Sequence, residues 1–167
     1  QRPGQPLPRG RVTGGSTAVN TCIFLRGVPE DYDDWSDRGN PEWKWENVLK
    51  TFCRLERDLD FGTEPYHGDA GPITVRRYPH EELTELQQAF LATAEELGFP
   101  ECPDQNDPSA WGSGPQPMNK LGQLRVSTAS AYLAPARLRP NLEIRGDSHI
   151  NRLLIERGKV TGVEVIS

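Results

Sequence analysis

Apolar residues fall into a few periodic runs separated by stretches rich in glycine and proline. Over residues 45–58, Val48, Leu49, Phe52 and Leu55 recur at helical spacing and predict an amphipathic helix, with Trp35, Trp43 and Trp45 as its packing partners. Over residues 80–97, Leu83, Leu86, Phe90, Leu91, Ala94 and Leu97 share one stripe, which Gly98 and Pro100 terminate. Nearer the start, Gly14-Gly15-Ser16-Thr17 precedes Ala18, Val19, Cys22, Ile23, Phe24 and Leu25. That order predicts a glycine-opened, hydroxyl-capped helix ending at Arg26-Gly27. Pro29 followed by acids predicts a short helix to about Arg38, and residues 127–133 another.

Strand signals are fewer. Residues 72–75 read as a short strand, and the alternation at Leu142-Glu143-Ile144-Arg145 as a second. Residues 150–155 and 160–166, joined through Gly158, read as a β-hairpin. The first dozen residues and residues 62–71 are loops. Residues 100–122 carry eight prolines and glycines without periodicity, a loop long enough to suggest function or disorder; Trp111 and Met118 within it are candidates for a substrate entrance or for plain anchoring.

Composition narrows the function classes. With 16 Gly and 15 Pro among 167 residues and 35% hydrophobic residues, the core is modest and the loops many. A net charge of −5 with interspersed signs argues against nucleic acid as a partner. No stretch has the length and apolarity of a membrane span. Cys22, Cys53 and Cys102 are odd in number, widely spaced and without metal-ligand spacing, so they read as reduced thiols of a cytoplasmic protein. Asp31, Asp33, Asp34 and Asp37 form an acidic run that reads as the solvated face of a helix N-terminus, with a held cation as the competing reading.

The most informative stretch for chemistry is residues 10–20. Adjacent glycines and two hydroxyls at a helix start let backbone N–H groups approach an anion or an electron-rich ring, although an ordinary capped helix is the competing reading.

Arg11-x-x-Gly14-Gly15-Ser16-Thr17-x-x-Asn20, followed by Arg26-Gly27-x-Pro29-x-Asp31-Tyr32-x-x-Trp35, resembles the first signature region of the glucose-methanol-choline (GMC) oxidoreductases. The resemblance continues through the Trp-containing helix from Trp43 to Glu56, Tyr66-His67-Gly68 with Gly71-Pro72-Ile73, Arg125-x-Ser127-Thr128-Ala129-x-Ala131-Tyr132-Leu133, Arg139-Pro140-Asn141-Leu142 and Gly162-Val163-Glu164-Val165. Thr13 departs from the apolar residue usual before the double glycine.

The resemblance implies an α/β chain, an internal fragment contributing part of a Rossmann-like FAD-binding lobe (residues 1–60 and 137–167) and part of a substrate-binding lobe (61–136). It implies an FAD-dependent oxidoreductase that oxidises the CH–OH group of a small-molecule alcohol by hydride transfer to the flavin, with the remainder of the parent enzyme as partner. Gly14, Gly15 and Ser16 are expected against the diphosphate and flavin side. Asn20, Thr21, Cys22 and Ile23 are expected at the isoalloxazine ring, and Ile150 at adenine through its main chain. Where some members carry a His that attaches FAD, this chain has Val19, so non-covalent FAD is expected.

The family's GxGxxG fingerprint is expected upstream of Gln1 and the catalytic His downstream of Ser167. His67, His80 and His149 are not expected to be that base. Two alternatives stay open: an isolated, non-catalytic piece without FAD, and a lyase on the same scaffold.

Overall fold

The computed structural model describes residue 4 and residues 6–166. Its centre is a short parallel strand pair, β1 (Glu56–Asp58) and β2 (Ile73–Val75), with Glu56 opposite Ile73 and Asp58 opposite Val75. All three residues of β2 are buried. Two further extended segments extend this pair. Arg76 and Met118 exchange both backbone hydrogen bonds, Asn119 donates to the Cys22 carbonyl, and Phe24 donates to the Pro117 carbonyl. The long Pro/Gly-rich loop is therefore threaded through the interior at Pro117-Met118-Asn119, where Pro117 and Asn119 are buried. Backbone pairing on both sides orders it.

Helices α1 (Pro29–Asp37) and α2 (Trp45–Leu55) lie where their periodicity predicts. Asp31 accepts the Val28 N–H at the start of α1, and Asp33 accepts the Trp45 N–H at the start of α2. Part of the acidic run thus satisfies helix N-termini while the rest is exposed, as a solvated helix start should be. Tyr32, Trp35, Trp43, Trp45 and Phe52 form one aromatic cluster, with ring centroids between 5.2 Å (Trp35–Trp43) and 6.2 Å (Trp45–Phe52). This cluster joins the two helices through edge and tilted contacts. The predicted extension of α2 to Asp58 ends early, because Glu56–Asp58 turns into β1.

Helix α3 (Glu85–Glu96) starts five residues later than its stripe suggests. Thr84 caps it, accepting the Gln87 N–H while the Gln87 side chain accepts from the Thr84 N–H. His80–Glu82 is a separate 3-10 turn. The apolar stripe is not core: Leu86 is 80% exposed, Phe90 67% and Leu97 72%, and Ala94 alone among the α3 residues is buried.

The segment after the double glycine departs most from expectation. Only Gly15–Ala18 is helical, as a single 3-10 turn. Val19, Thr21 and Ile23 alternate as β-branched residues suited to extended backbone, and Cys22 sits at φ 67, which no helix accommodates. Residues 142–145 are not a strand either, since no described segment pairs with them. A two-residue hairpin unforeseen in the sequence, β3 (Lys120–Leu121) with β4 (Leu124–Arg125), instead leads into a π-turn at Ala129–Leu133.

Strands β5 (His149–Glu156) and β6 (Lys159–Ile166) form the expected hairpin. Arg157 and Gly158 both have positive φ, 50° and 76°, the requirement of a twist-matched two-residue turn. His149 opens β5.

Candidate functional site

Residues 10–23 fold into a compact cradle held by hydrogen bonds from near and far. Gly14 and Gly15 both adopt left-handed conformations, φ 95 and 57. A Cβ at Gly14 would lie 3.0 Å from the Ala129 Cβ, whereas one at Gly15 would meet open space. Gly10 donates to the Ser16 Oγ at 3.1 Å.

The Gly14 carbonyl accepts from both the Thr17 hydroxyl, at 2.5 Å, and the Thr128 hydroxyl, at 3.0 Å, and Thr128 N–H donates to Thr17 Oγ1. These bonds join the cradle to the Arg125–Thr128 segment. Because the helix is one turn, the macrodipole expected to draw an anion is small. What remains is a half-buried surface, open at Gly15, which a flat group can approach closely.

The same cradle carries Asn20, Thr21, Cys22 and Ile23. The Asn20 Oδ1 accepts the Cys22 N–H at 3.0 Å, an Asx turn that fixes the positive φ of Cys22 and buries its side chain. Asn20, Thr21 and Ile23 are exposed. Beside Thr21 and Ile23 opens a cavity of about 710 Å³, walled by Tyr78, Leu86, Phe90 and Met118, with no Asp, Glu, Lys, Arg or His among its lining residues. Seven of the eight sequence-derived residues thus lie on this cradle, as neighbours already in the sequence. Ile150 lies apart on β5, opposite Val165 and next to an irregularity in the register.

A second cluster was not legible in the sequence. Arg26, Glu56, Asp58, His67, Arg77 and Asp104 form a buried chain of alternating charge. Arg26 bonds Glu56 at 2.5 Å, and His67 Nδ1 bonds Glu56 at 2.6 Å. His67 Nε2 bonds Asp104 at 2.8 Å, and Arg77 spans Asp104 and Asp58, each at 2.6 Å. Gly68, beside His67, packs so closely that a Cβ would lie 1.8 Å from the Cys53 carbonyl oxygen.

Burial works against a charged imidazole, but bonds to Asp104 and Glu56 outweigh it and push the His67 pKa up to about 9. Burial likewise works against an ionised Asp104, but His67, the Asn106 N–H and Arg77 hold its pKa down to about 2.

Glu56, Asp58 and His67 offer donor atoms within 4.8 Å of one another. They do not suit a metal: the carboxylates are already neutralised by two guanidiniums, and a doubly bonded, protonated His67 has no lone pair to give. Nor is His67 free to act as a base. Arg26, Glu56 and His67 fall within the stretches that carry the family resemblance, but nothing in the sequence brings them together with Asp58, Arg77 and Asp104. Cys22, Cys53 and Cys102 are free thiols, and burial raises the pKa of Cys53 and Cys102.

Comparison with known proteins decides the family, because the model described as GMC oxidoreductase matches residues 4–167. The chain belongs to the GMC oxidoreductase family. FAD is the cofactor of this family. Among relatives of this GMC chain, 5-(hydroxymethyl)furfural oxidase of Methylovorus sp. is 37% identical over 166 residues, covering 99% of the chain and 31% of the relative. Glucose dehydrogenase (FAD, quinone) of Drosophila pseudoobscura pseudoobscura is 39% identical over 163 residues, covering 95% and 25%. Among solved structures, pyridoxine 4-oxidase from Mesorbium loti superposes with a TM-score of 0.87 at 32% identity, covering 95% of this chain and 31% of that one. The mixed helix and strand content is thus that of a GMC FAD-binding domain, and the chain spans about a quarter to a third of the length of these relatives. No helix among the described residues is long and apolar enough to cross a membrane.

Proposed function

We propose that the cradle from Gly14 to Ile23 is the flavin-contacting surface of an FAD-dependent oxidoreductase that acts on the CH–OH group of a small-molecule alcohol. The observation that carries this reading is the coincidence of two features in one segment: left-handed glycines with open space at Gly15, and an Asx turn presenting Asn20 and Thr21 to solvent. A side chain at Gly15 would intrude where a ring system has to lie close to backbone, whereas one at Gly14 would press on Ala129 within the fold. When bound, FAD supplies the acceptor for the hydride leaving the alcohol carbon.

This chain's own residues bind and orient. Gly14, Gly15 and Ser16 bound the diphosphate side, and Asn20, Thr21, Cys22 and Ile23 meet the ring. Ile150 meets adenine through its main chain. Val19, an aliphatic side chain, leaves the cofactor non-covalent. The cavity beside Thr21 and Ile23 takes an alcohol whose body is uncharged, since no ionised group lines it.

The proton-accepting group is supplied by the remainder of the parent enzyme, which also covers the exposed face of α3. In this reading residues 1–60 and 137–167 serve the FAD lobe and residues 61–136 the substrate lobe.

The test is a titration of FAD with the purified chain, followed by flavin fluorescence. Saturable quenching that is lost in Gly15→Val supports the reading. Quenching indifferent to Gly15→Val counts against residues 14–23 as the ring-binding surface, and fluorescence that stays unquenched supports the alternative of an isolated piece without FAD.

A further inference from the structure

The hydrogen bonds around Asn20 determine which way its carboxamide faces. The Oδ1 atom accepts the Cys22 N–H at 3.0 Å and the Arg125 Nη1 at 2.5 Å. Both partners can only donate, so the oxygen and not the nitrogen has to face them. The same Arg125 nitrogen donates to the Thr17 carbonyl at 3.3 Å, tying the Asn20 side chain to the preceding turn. Nδ2 has no hydrogen-bond partner among the described residues, and Asn20 is exposed.

Arg125 is not a loose surface side chain. Its strand pairs with Lys120, and its neighbour Val126 is bonded to Asn119 in both directions, at 2.9 Å from the Val126 N–H and 2.7 Å from the Asn119 side chain. Asn119 in turn donates to the Cys22 carbonyl at 2.8 Å. The guanidinium and the turn it grips are therefore held on one frame.

We infer that Arg125 is a positioning residue, which locks the Asn20 carboxamide with its oxygen inward and its two N–H bonds outward toward an electron-rich acceptor on the ring docked against residues 14–23. The inference rests on the flavin reading above. An unlocked carboxamide can rotate and present its oxygen, which repels the carbonyl oxygens of such a ring. A locked one presents donors without reorganisation on binding. Because the Oδ1 atom also fixes the Cys22 N–H, loss of Arg125 loosens the turn as well as the donor.

The lock is tested first without FAD, by hydrogen exchange and by the Asn20 side-chain amide signals in NMR spectra of the 167-residue chain. Arg125→Ala should shift those signals and speed exchange at the Cys22 amide about tenfold, with Leu153 and Val163 on the distant hairpin unchanged. Arg125→Lys, which keeps a cationic donor, should recover part of that protection. Unchanged Asn20 signals and Cys22 exchange in both variants overturn the lock.

The outward donor is tested with Asn20→Asp, which keeps an oxygen for Arg125 and for Cys22 but has no N–H. Cys22 protection should persist while FAD affinity falls about tenfold, and undiminished affinity overturns the outward donor. If the wild-type chain binds no FAD, the flavin reading fails, and the exchange measurements still decide the lock.

Discussion

Replacing His67 with glutamine removes the one cation in the buried cluster whose charge depends on pH near neutrality. In the folded chain the His67 pKa lies at about 9 against an ordinary 6.5. A raised folded value means that protonated His67 stabilises the fold fully below pH 6.5, and that this contribution is lost as pH rises through about 9. At about 1.36 kcal/mol for each tenfold change in proton affinity, the gap corresponds to roughly 3 kcal/mol. His67 and its partners Glu56 and Asp104 are buried, so solvent screening reduces this little.

At acidic to neutral pH, His67→Gln leaves three carboxylates facing two guanidiniums, and breaking such a buried pair costs about 3–5 kcal/mol. The assay is urea denaturation of wild type and variant at a series of pH values from about 6 to about 10. The difference in stability should be largest at the low end and shrink by about 3 kcal/mol across the series, with a slope near but below 1.4 kcal/mol per pH unit. Taking the difference removes the titration of lysines, tyrosines and thiols common to both chains. A difference that stays constant across the series refutes the claim that His67 is held protonated by Asp104 and Glu56.

The acid limb should mirror this. Asp104 is depressed to about 2 from 3.8, so its contribution is present above pH 3.8 and lost as pH falls through about 2; Asp104→Asn should flatten the acid-induced loss of stability seen by circular dichroism. Gly68→Ala places a Cβ 1.8 Å from the Cys53 carbonyl oxygen and should destabilise by at least about 3 kcal/mol in urea melts, because backbone must move. Gly14→Ala should cost more than Gly15→Ala. Both pay about 1–2 kcal/mol for a left-handed L-residue, but only Gly14 also presses on Ala129, and thermal melts of the two variants compare them directly.

How much of this was legible in the sequence varies by element. Helices α1 and α2 were, since Pro29 with its acids and the spacing of Val48, Leu49, Phe52 and Leu55 leave few alternatives. The hairpin at Gly158 was as well, being a local structure with a local turn requirement. The α3 stripe was read correctly as amphipathic, yet its face remains exposed, because periodicity says that a face is apolar and not what covers it.

Residues 19–25 were misread because a run of apolar residues lacks a decisive period. The β-branched alternation of Val19, Thr21 and Ile23 was the competing signal, and pairing with Pro117–Asn119 made it win. The charge cluster was invisible for a different reason. Its members, from Arg26 to Asp104, come together only through tertiary pairing, and each alone looks like a surface charge. The candidate residues of the cradle were singled out through the family resemblance, whereas the parts of Arg125 and Thr128 in holding that segment needed the hydrogen bonds.

The central claim is that residues 14–23 hold the flavin. Amide hydrogen exchange of the chain with and without FAD tests it most directly. Protection gained at Gly14 to Ile23, with a second patch around Ile150 and little change along α1 and α2, is the result the account requires. Protection that appears elsewhere, or none in this segment at saturating FAD, contradicts it.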